Sequence, residues 1–162
     1  MMQERLGNAD FNTLRDKMFR FAVSIVSDRD SAEDAVQDVF VKILLLSEQN
    51  YKNFEAFAMT SVRNKCYDLL RHSKSRRTEP IGTPIPVEDH DDWDLRMVIR
   101  KAIGSLPRRQ REIVHLKDVE GYEIKEIAIM LSMRENVVRA ILSRARKGLR
   151  KQIEKTMNYG AK

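Results

Sequence analysis

Met133-Arg-Glu-Asn-Val-Val-Arg-Ala-Ile-Leu-Ser-Arg-Ala-Arg-Lys-Gly-Leu-Arg-Lys151 sorts into two faces when wound as an α-helix. Val138, Ile141, Leu142, Ala145 and Leu149 recur at steps of three and four and form an apolar stripe. Arg139, Ser143, Arg146 and Arg150 run down another side, with Arg144, Lys147 and Lys151 beside them, and no acid interrupts them after Glu135. The stripe calls for a small core. The cations call for a polyanion, and duplex DNA is the obvious one. A lone basic helix is equally compatible with a merely solvated face, so the flanking sequence has to decide.

Working back from this helix, Glu123 to Leu131 places Ile124, Ile127, Ala128 and Leu131 inward, and Ser132-Met-Arg134 is the turn. Two short helices joined by a three- or four-residue turn, the second one basic, describe a helix-turn-helix. Arg108 to Glu120 reads as the preceding helix, with Ile113, Val114, Leu116 and Lys117 central and Gly121 as its stop. Pro107 suits a first turn, and Leu95 to Ile103 forms a short helix with Val98, Ile99 and Ala102/Ile103 inward.

Residues 72–95 differ in character. They hold Pro80, Pro84 and Pro86, three of the chain's four prolines, opening basic at Lys74, Arg76 and Arg77 and closing acidic from Glu88 to Asp94. Proline favours extended backbone, so a flexible linker is expected, with Trp93 as an anchor on the second helical module.

The N-terminal part again reads as helix. Phe11 to Val26 carries Leu14, Met18, Phe21, Ala22 and Ile25 inward. A break comes next, with Asp30 or Ser31 as cap and Glu33 completing a capping box. Ala32 to Leu46 has the stripe Ala32, Ala35/Val36, Val39/Phe40, Ile43 and Leu46, and the outward set Asp34, Gln37, Asp38 and Lys42. Glu55 to Arg71 gathers Phe57, Thr60/Ser61, Asn64, Tyr67/Asp68 and Arg71 along one side, with Arg63, Lys65 and Lys74 nearby. Rings that stack on bases beside cations that hold phosphates suit single-stranded nucleic acid; the same aromatics could instead fill a core.

The charge is divided accordingly. Residues 96–162 hold 17 of the 30 Lys+Arg and 7 of the 24 Asp+Glu, a net of +10, which leaves −4 on residues 1–95. The expectation is an all-α chain of two small helical domains, 8–73 and 95–157, joined by the linker 74–94. With 6 Gly and 4 Pro in 162 residues, a many-turned β architecture is disfavoured. The single Cys66 excludes an internal disulfide and reads as a packing residue. No signal peptide or membrane span is recognisable, so a cytoplasmic protein without membrane insertion is expected. An enzyme is not expected. His72, His90 and His115 lack ligand spacing, the acids of 88–94 fall in the linker, and no nucleophile stands beside a base, so no catalytic residue, metal or cofactor is assigned.

Two stretches in this order resemble bacterial RNA polymerase sigma factors of the small extracytoplasmic-function (ECF) group. Asp30-Ser-Ala-Glu-Asp-Ala-Val-Gln-Asp-Val-Phe40 and Phe54-Glu-Ala-Phe-Ala-Met-Thr-Ser-Val-Arg-Asn-Lys-Cys-Tyr-Asp-Leu-Leu-Arg71 look like sigma domain 2. Leu106-Pro-Arg-Arg-Gln-Arg-Glu112, Glu126-Ile-Ala128 and Val138-Arg-Ala-Ile-Leu-Ser-Arg-Ala-Arg146 look like sigma domain 4. The resemblance implies that Asp34, Gln37, Asp38 and Val41 meet the clamp helices of the β′ subunit of core RNA polymerase. It implies that Phe57, Arg63, Asn64, Asp68 and Arg71 meet −10 promoter DNA, and that Arg134, Arg139, Ala140, Ser143, Arg144 and Lys147 meet the −35 element. An anti-sigma factor is a further partner of the kind this family has. Departures from the pattern are Phe57 for tryptophan, Glu123 for a Ser/Thr cap, Ser132 for glycine, Arg134 for a Ser cap and Ile141 for arginine. A stand-alone helix-turn-helix regulator is the competing expectation; it explains residues 96–155 and leaves the acidic Asp34/Gln37/Asp38 face without a task.

Overall fold

The computed structural model describes residues 8–45, 54–76 and 95–160, and among them every regular element is helical. The chain divides into two compact units. The first contains α1 (Asn8–Val26), α2 (Arg29–Leu45) and α3 (Phe54–Arg76), each packed on the other two. Its core is the set expected from periodicity in α1 and α2: Leu14, Met18, Phe21, Ala22 and Ile25 against Ala32, Ala35, Val36, Val39 and Ile43. Leu46 lies outside the described residues. On α3 the core stripe is Ala56, Met59, Val62, Cys66 and Leu70. Phe54, Phe57 and Tyr67 are only half-buried, so they are not what fills this core.

Local chemistry sets the α1–α2 junction earlier than expected. Ser27 has φ +56°, and its amide reaches back to the Val23 carbonyl at 2.9 Å, closing α1. The cap of α2 is Asp28 and not Asp30 or Ser31, because the Asp28 carboxylate accepts the Ser31 amide at 3.1 Å and the Ser31 hydroxyl as well. Asp28 stands three residues ahead of Ser31, the spacing a side-chain cap needs, and this lets the helix begin at Arg29.

Cys66 is fully buried, and burial pushes its thiol up to about 12. The thiolate fraction at pH 8 is then on the order of 10⁻⁴, against about a tenth or more for a free cysteine. Labelling of the native protein by a thiol reagent at pH 8 should therefore be slow and should accelerate only when urea opens the first unit. Rapid labelling of the folded chain would contradict this packing.

α3 runs through Arg76, three residues into the segment expected to link the modules. Residues 77–94, with the three prolines and Trp93, lie outside the described residues.

The second unit contains α4 (Leu95–Gly104), α5 (Arg108–Val114), a π-helical turn (His115–Val119), α6 (Ile124–Leu131) as far as Ala128, and α7 (Glu135–Gly160). The core draws Ala102 and Leu106 from the α4 end, Ile113, Val114 and Leu116 from α5 and the turn, and Ile127 and Ala128 from α6. Val138, Leu142 and Ala145 come from α7, with Ile141 and Leu149 at its margin. Three local expectations change. Ile99 is exposed and not inward, since ten residues of α4 bury only the side that carries Ala102. Pro107 is the N-cap residue of α5, with ψ 147°, and not its first turn; its carbonyl accepts the Arg111 amide at 2.9 Å. The segment 108–120 is not one α-helix, because Glu120 donates its amide to the His115 carbonyl at 3.0 Å across five residues, which is π geometry. Gly121, at φ +79°, then turns the chain so that Tyr122 is buried.

The turn before α7 explains one departure from the sigma pattern. Ser132 adopts φ +53°, and the Met133 amide reaches the Ala128 carbonyl at 2.9 Å, a C-terminal motif that normally carries glycine. An L-residue there costs about 1–2 kcal/mol, part of which glycine's freer unfolded chain would return. Ser132→Gly should therefore stabilise the folded chain by about 0.5–1 kcal/mol, measured as a rise in the urea midpoint. An unchanged or lower midpoint would show that the turn carries no strain.

Candidate nucleic-acid and protein interfaces

On α7 the buried residues Val138, Leu142, Ala145 and half-buried Leu149 fall on one line, and the successive 100° steps of the helix place the others. Ala140, Arg144, Lys147 and Lys151 lie roughly opposite that line, with Ser143 beside them; all are exposed. Arg139 is exposed on the adjoining flank, where its guanidinium sits 3.3 Å from Glu135 one turn earlier. Arg134 is exposed just ahead of the helix; its carbonyl accepts the Val137 amide at 3.1 Å, and the Asn136 side chain takes that same amide at 3.0 Å. All six residues expected at the −35 element are thus solvent-facing at one end and one side of α7. Arg146 behaves differently. Its Nη2 and Nε lie 2.6 and 3.3 Å from the two carboxylate oxygens of Asp118, on the π-turn, and this hydrogen bond raises the guanidinium's affinity for its proton.

The α6 N-terminus is capped in an unusual way. Glu123 cannot cap as serine would, but its amide is taken by Glu126 Oε2 at 2.8 Å, the reciprocal half of a capping box. The α5 N-terminus is strongly basic. Arg111 is partly buried, donates to the Gly104 carbonyl at 3.2 Å, and is lowered from the ordinary arginine range by burial first and by neighbouring Arg108 second. Two acids with buried side chains escape a reading from sequence. Glu112 is buried beside Arg109, 3.6 Å away, and the Glu120 side chain is buried against His115 at 3.2 Å. A signal for the first was present: Glu112 precedes Ile113 and stands four before Leu116, so it belongs to the inward stripe of α5.

In the first unit, α2 turns Asp34, Gln37, Asp38 and Val41 outward, all exposed and spaced three or four apart. Leu44 at 55% and Leu45 at 80% exposure extend the face with apolar surface that periodicity did not single out. An acidic–amide patch continuing into uncovered leucines suits a protein surface better than water or a polyanion. Asp38 is not isolated: Lys65 Nζ of α3 lies 2.9 Å from its carboxylate.

On α3, Phe57, Asn64, Asp68 and Arg71 fall within about 60° of one another round the helix. Phe57 and Asp68 are half-buried, and Asn64 and Arg71 exposed. Arg71 is ion-paired with Asp68 one turn earlier. Arg63 lies roughly a third of a turn away from this line, its guanidinium 4.7 Å from the centre of the Tyr67 ring. Four of the five expected −10 residues therefore share a face, while Arg63 flanks it on an aromatic ring. Among the described residues no group of three or more His, Cys, Asp or Glu could hold a metal ion, and no helix is long and apolar enough to cross a membrane.

Comparison with known proteins agrees with this division. Residues 11–76 match the family model for sigma-70 region 2, and residues 96–149 match that for sigma-70 region 4. The chain is 31% identical over 144 residues to the RNA polymerase sigma factor SigV of Bacillus subtilis, covering 85% of this chain and 84% of that one. It is 29% identical over 151 residues to the ECF RNA polymerase sigma factor SigE of Mycolicibacterium smegmatis, covering 86% of this chain and 58% of that one. The first curated relatives are longer, and the chain spans about 60% of their length. Among solved structures, the sigma factor RpoE in complex with the anti-sigma factor NepR from Bartonella quintana shares the fold, with TM-score 0.72, 23% identity, and coverage of 90% and 95% of the two chains. Both sigma-70 regions in order, together with a relative of nearly equal extent, place this chain in the ECF group of the sigma-70 family.

Proposed function

We propose that this chain binds core RNA polymerase and directs promoter-specific initiation, reading duplex at the −35 element with α7 and unpaired −10 bases with α3. The observation that carries the reading is the chemistry of the outward faces. Within the two units the uncovered sides of α2, α3 and α7 are, in turn, acidic–apolar, aromatic–cationic and cationic. Asp34, Gln37, Asp38 and Val41 would meet the clamp helices of β′, with Leu44 and Leu45 adding apolar area. Arg134, Arg139, Ala140, Ser143, Arg144 and Lys147 would contact −35 bases and phosphates, the cations supplying salt-sensitive affinity and the bidentate arginines sequence discrimination.

Extracting a base costs a few kcal/mol, which stacking of about 1–3 kcal/mol per base on an aromatic can offset. Phe57, Arg63, Asn64, Asp68 and Arg71 would supply that capture at the −10 element, so strand opening needs no nucleotide hydrolysis by this chain. The chain chooses the start site and polymerase does the chemistry, so no catalytic residue, metal or cofactor is invoked. Its place of action is the cytoplasm, with the transcribed chromosome. A sigma factor of this group is a target for an anti-sigma factor, and the exposed leucines of α2 are suitable surface for one.

Run-off transcription with purified core polymerase and a promoter library tests the reading. Addition of the chain should create new, promoter-dependent transcripts. Asp38→Arg should reduce polymerase association by at least tenfold, since it reverses an exposed charge on the docking face, while the helix content by circular dichroism stays unchanged. Co-purification of Asp38→Arg with polymerase at the wild-type level would remove α2 from the interface. A chain that held operator DNA tightly alone and left polymerase unaffected would favour the stand-alone regulator.

A further inference from the structure

We infer that Arg146 is a positioning residue and not a DNA ligand: its guanidinium, gripped by Asp118 of the π-turn, sets the roll of α7 and so aims Arg144 and Lys147 at the duplex. The inference rests on the proposed reading of −35 DNA by α7. Sequence alone puts Arg146 on the basic part of that helix, in line with Arg139, and gives it no separate task. Three structural features set it apart.

The first is direction. Helical steps place Arg146 roughly 160° from Arg144 and 100° from Lys147 about the axis, so a groove that receives those two cannot receive Arg146 in the same way. Arg139 shares the flank of Arg146 but lies two turns nearer the N-terminus, about 10 Å along the axis, where a recognition helix meets base edges.

The second is geometry. Both carboxylate oxygens of Asp118 are engaged, by Nη2 at 2.6 Å and Nε at 3.3 Å. A two-point grip on a planar fork fixes orientation as well as distance, which a single-point pair does not. The pair is half-exposed, with side-chain exposures of 51% and 38%, so its contribution is orientation more than stability.

The third is the origin of Asp118. It sits in the π-helical turn, closed by the Glu120 amide on the His115 carbonyl and tied by His115 to the buried Glu120 carboxylate at 3.2 Å. The π-turn redirects the residues that come after α5, and the buried pair makes it a firm base for the ion pair. Asp118 and Arg146 are 28 residues apart, so the pair joins the element before the helix-turn-helix to the middle of its second helix.

Charge reversal separates a brace from a phosphate contact. The full chain is assembled with core polymerase, and binding to promoter DNA bearing an intact or scrambled −35 element is measured at two salt concentrations. Arg146→Asp and Asp118→Arg should each lower −35-dependent binding by about 3- to 30-fold, and the double exchange should restore it to within about threefold of wild type. Arg146→Lys should behave as a loss, because an ammonium cannot make the two-point grip. Arg146→Ala should leave the slope of log affinity against log salt unchanged, whereas removal of a phosphate contact lowers it by about 0.9. The inference is overturned if the exchange fails to rescue Arg146→Asp, if Arg146→Lys matches wild type while Arg146→Ala loses slope, or if Asp118→Asn tightens binding by releasing a masked cation. Arg144→Ala is run in parallel. If Arg144→Ala has no effect on −35-dependent binding, the reading of α7 as a DNA helix fails, and the inference falls with it for that separate reason.

Discussion

Replacing Arg139 and Arg144 together with alanine is expected to abolish most −35-dependent transcription. Each side chain, as a base or phosphate ligand, accounts for about 1–3 kcal/mol, so the pair accounts for about 2–6 kcal/mol, or roughly 30-fold at the lower end. The fold should not suffer. Both residues are exposed on α7, alanine is the better helix former, and the single ion pair lost, Arg139 with Glu135, is a surface i,i+4 pair worth a few tenths of a kcal/mol. Run-off transcription should fall most on promoters that depend on their −35 element and least on those that do not. If either arginine holds a phosphate, the salt dependence of binding should also flatten, by about 0.9 per contact removed. Equal transcript yields from wild type and the double variant, across promoters of both kinds, would strip α7 of its assigned role.

The second large effect lies in the core of the first unit. Phe21 is the largest of its fully buried side chains and lies on α1, the helix that packs on both α2 and α3. Phe21→Ala removes that ring and leaves a cavity, at a cost of about 3–5 kcal/mol. A core of fewer than about 70–80 residues rarely supplies more than that, so the variant's first unit should be largely unfolded at 25 °C. Two measurements check it. The urea transition by circular dichroism should lose its native baseline, and Cys66, protected in the same core, should become rapidly labelled at pH 8. Phe21→Leu, which refills most of the volume, should retain protection. If Cys66 in Phe21→Ala stays as slow to label as in wild type, the three helices do not depend on this ring. Because the α2 and α3 faces are held by the same core, the variant should also fail to associate with polymerase.

The two variants act at different links of one chain of cause. Replacing the arginine pair leaves the scaffold intact and would remove the contacts proposed to −35 DNA. Phe21→Ala leaves every surface residue in place and removes the packing that orients them. A sigma factor assembled as proposed needs both, since no single helix here presents a complete surface without the stripe on its other side being buried.

Much of this was legible in the residues alone. The inward stripes of α1, α2 and α7 come from steps of three and four, because burial on a helix is a local, periodic property. The outward sets on α2 and α7 emerge by subtraction, and the all-α class comes from long periodic runs with few glycines and prolines. Short-range chemistry was harder to resolve. Asp28, Asp30 and Ser31 all qualify as caps by type, and only the backbone path at Ser27 selects Asp28. The π-turn is likewise invisible in sequence, since His115 to Val119 has ordinary helical composition and the wider turn shows only in the Glu120 amide on the His115 carbonyl.

Sequence by itself therefore determined the all-α class, which face of α1, α2 and α7 is buried, and that the two halves differ in charge. Only the tertiary structure decided which charges are already spoken for. Lys65 holds Asp38, Lys17 holds Glu55 and Asp118 holds Arg146 across 27, 38 and 28 residues, and the Glu112 and Glu120 side chains are buried where their type would suggest solvent. The physical reason is that hydrophobic burial is written in spacing along one helix, whereas an ion pair depends on the separation of two side chains in space, and that separation exists only after the helices have packed.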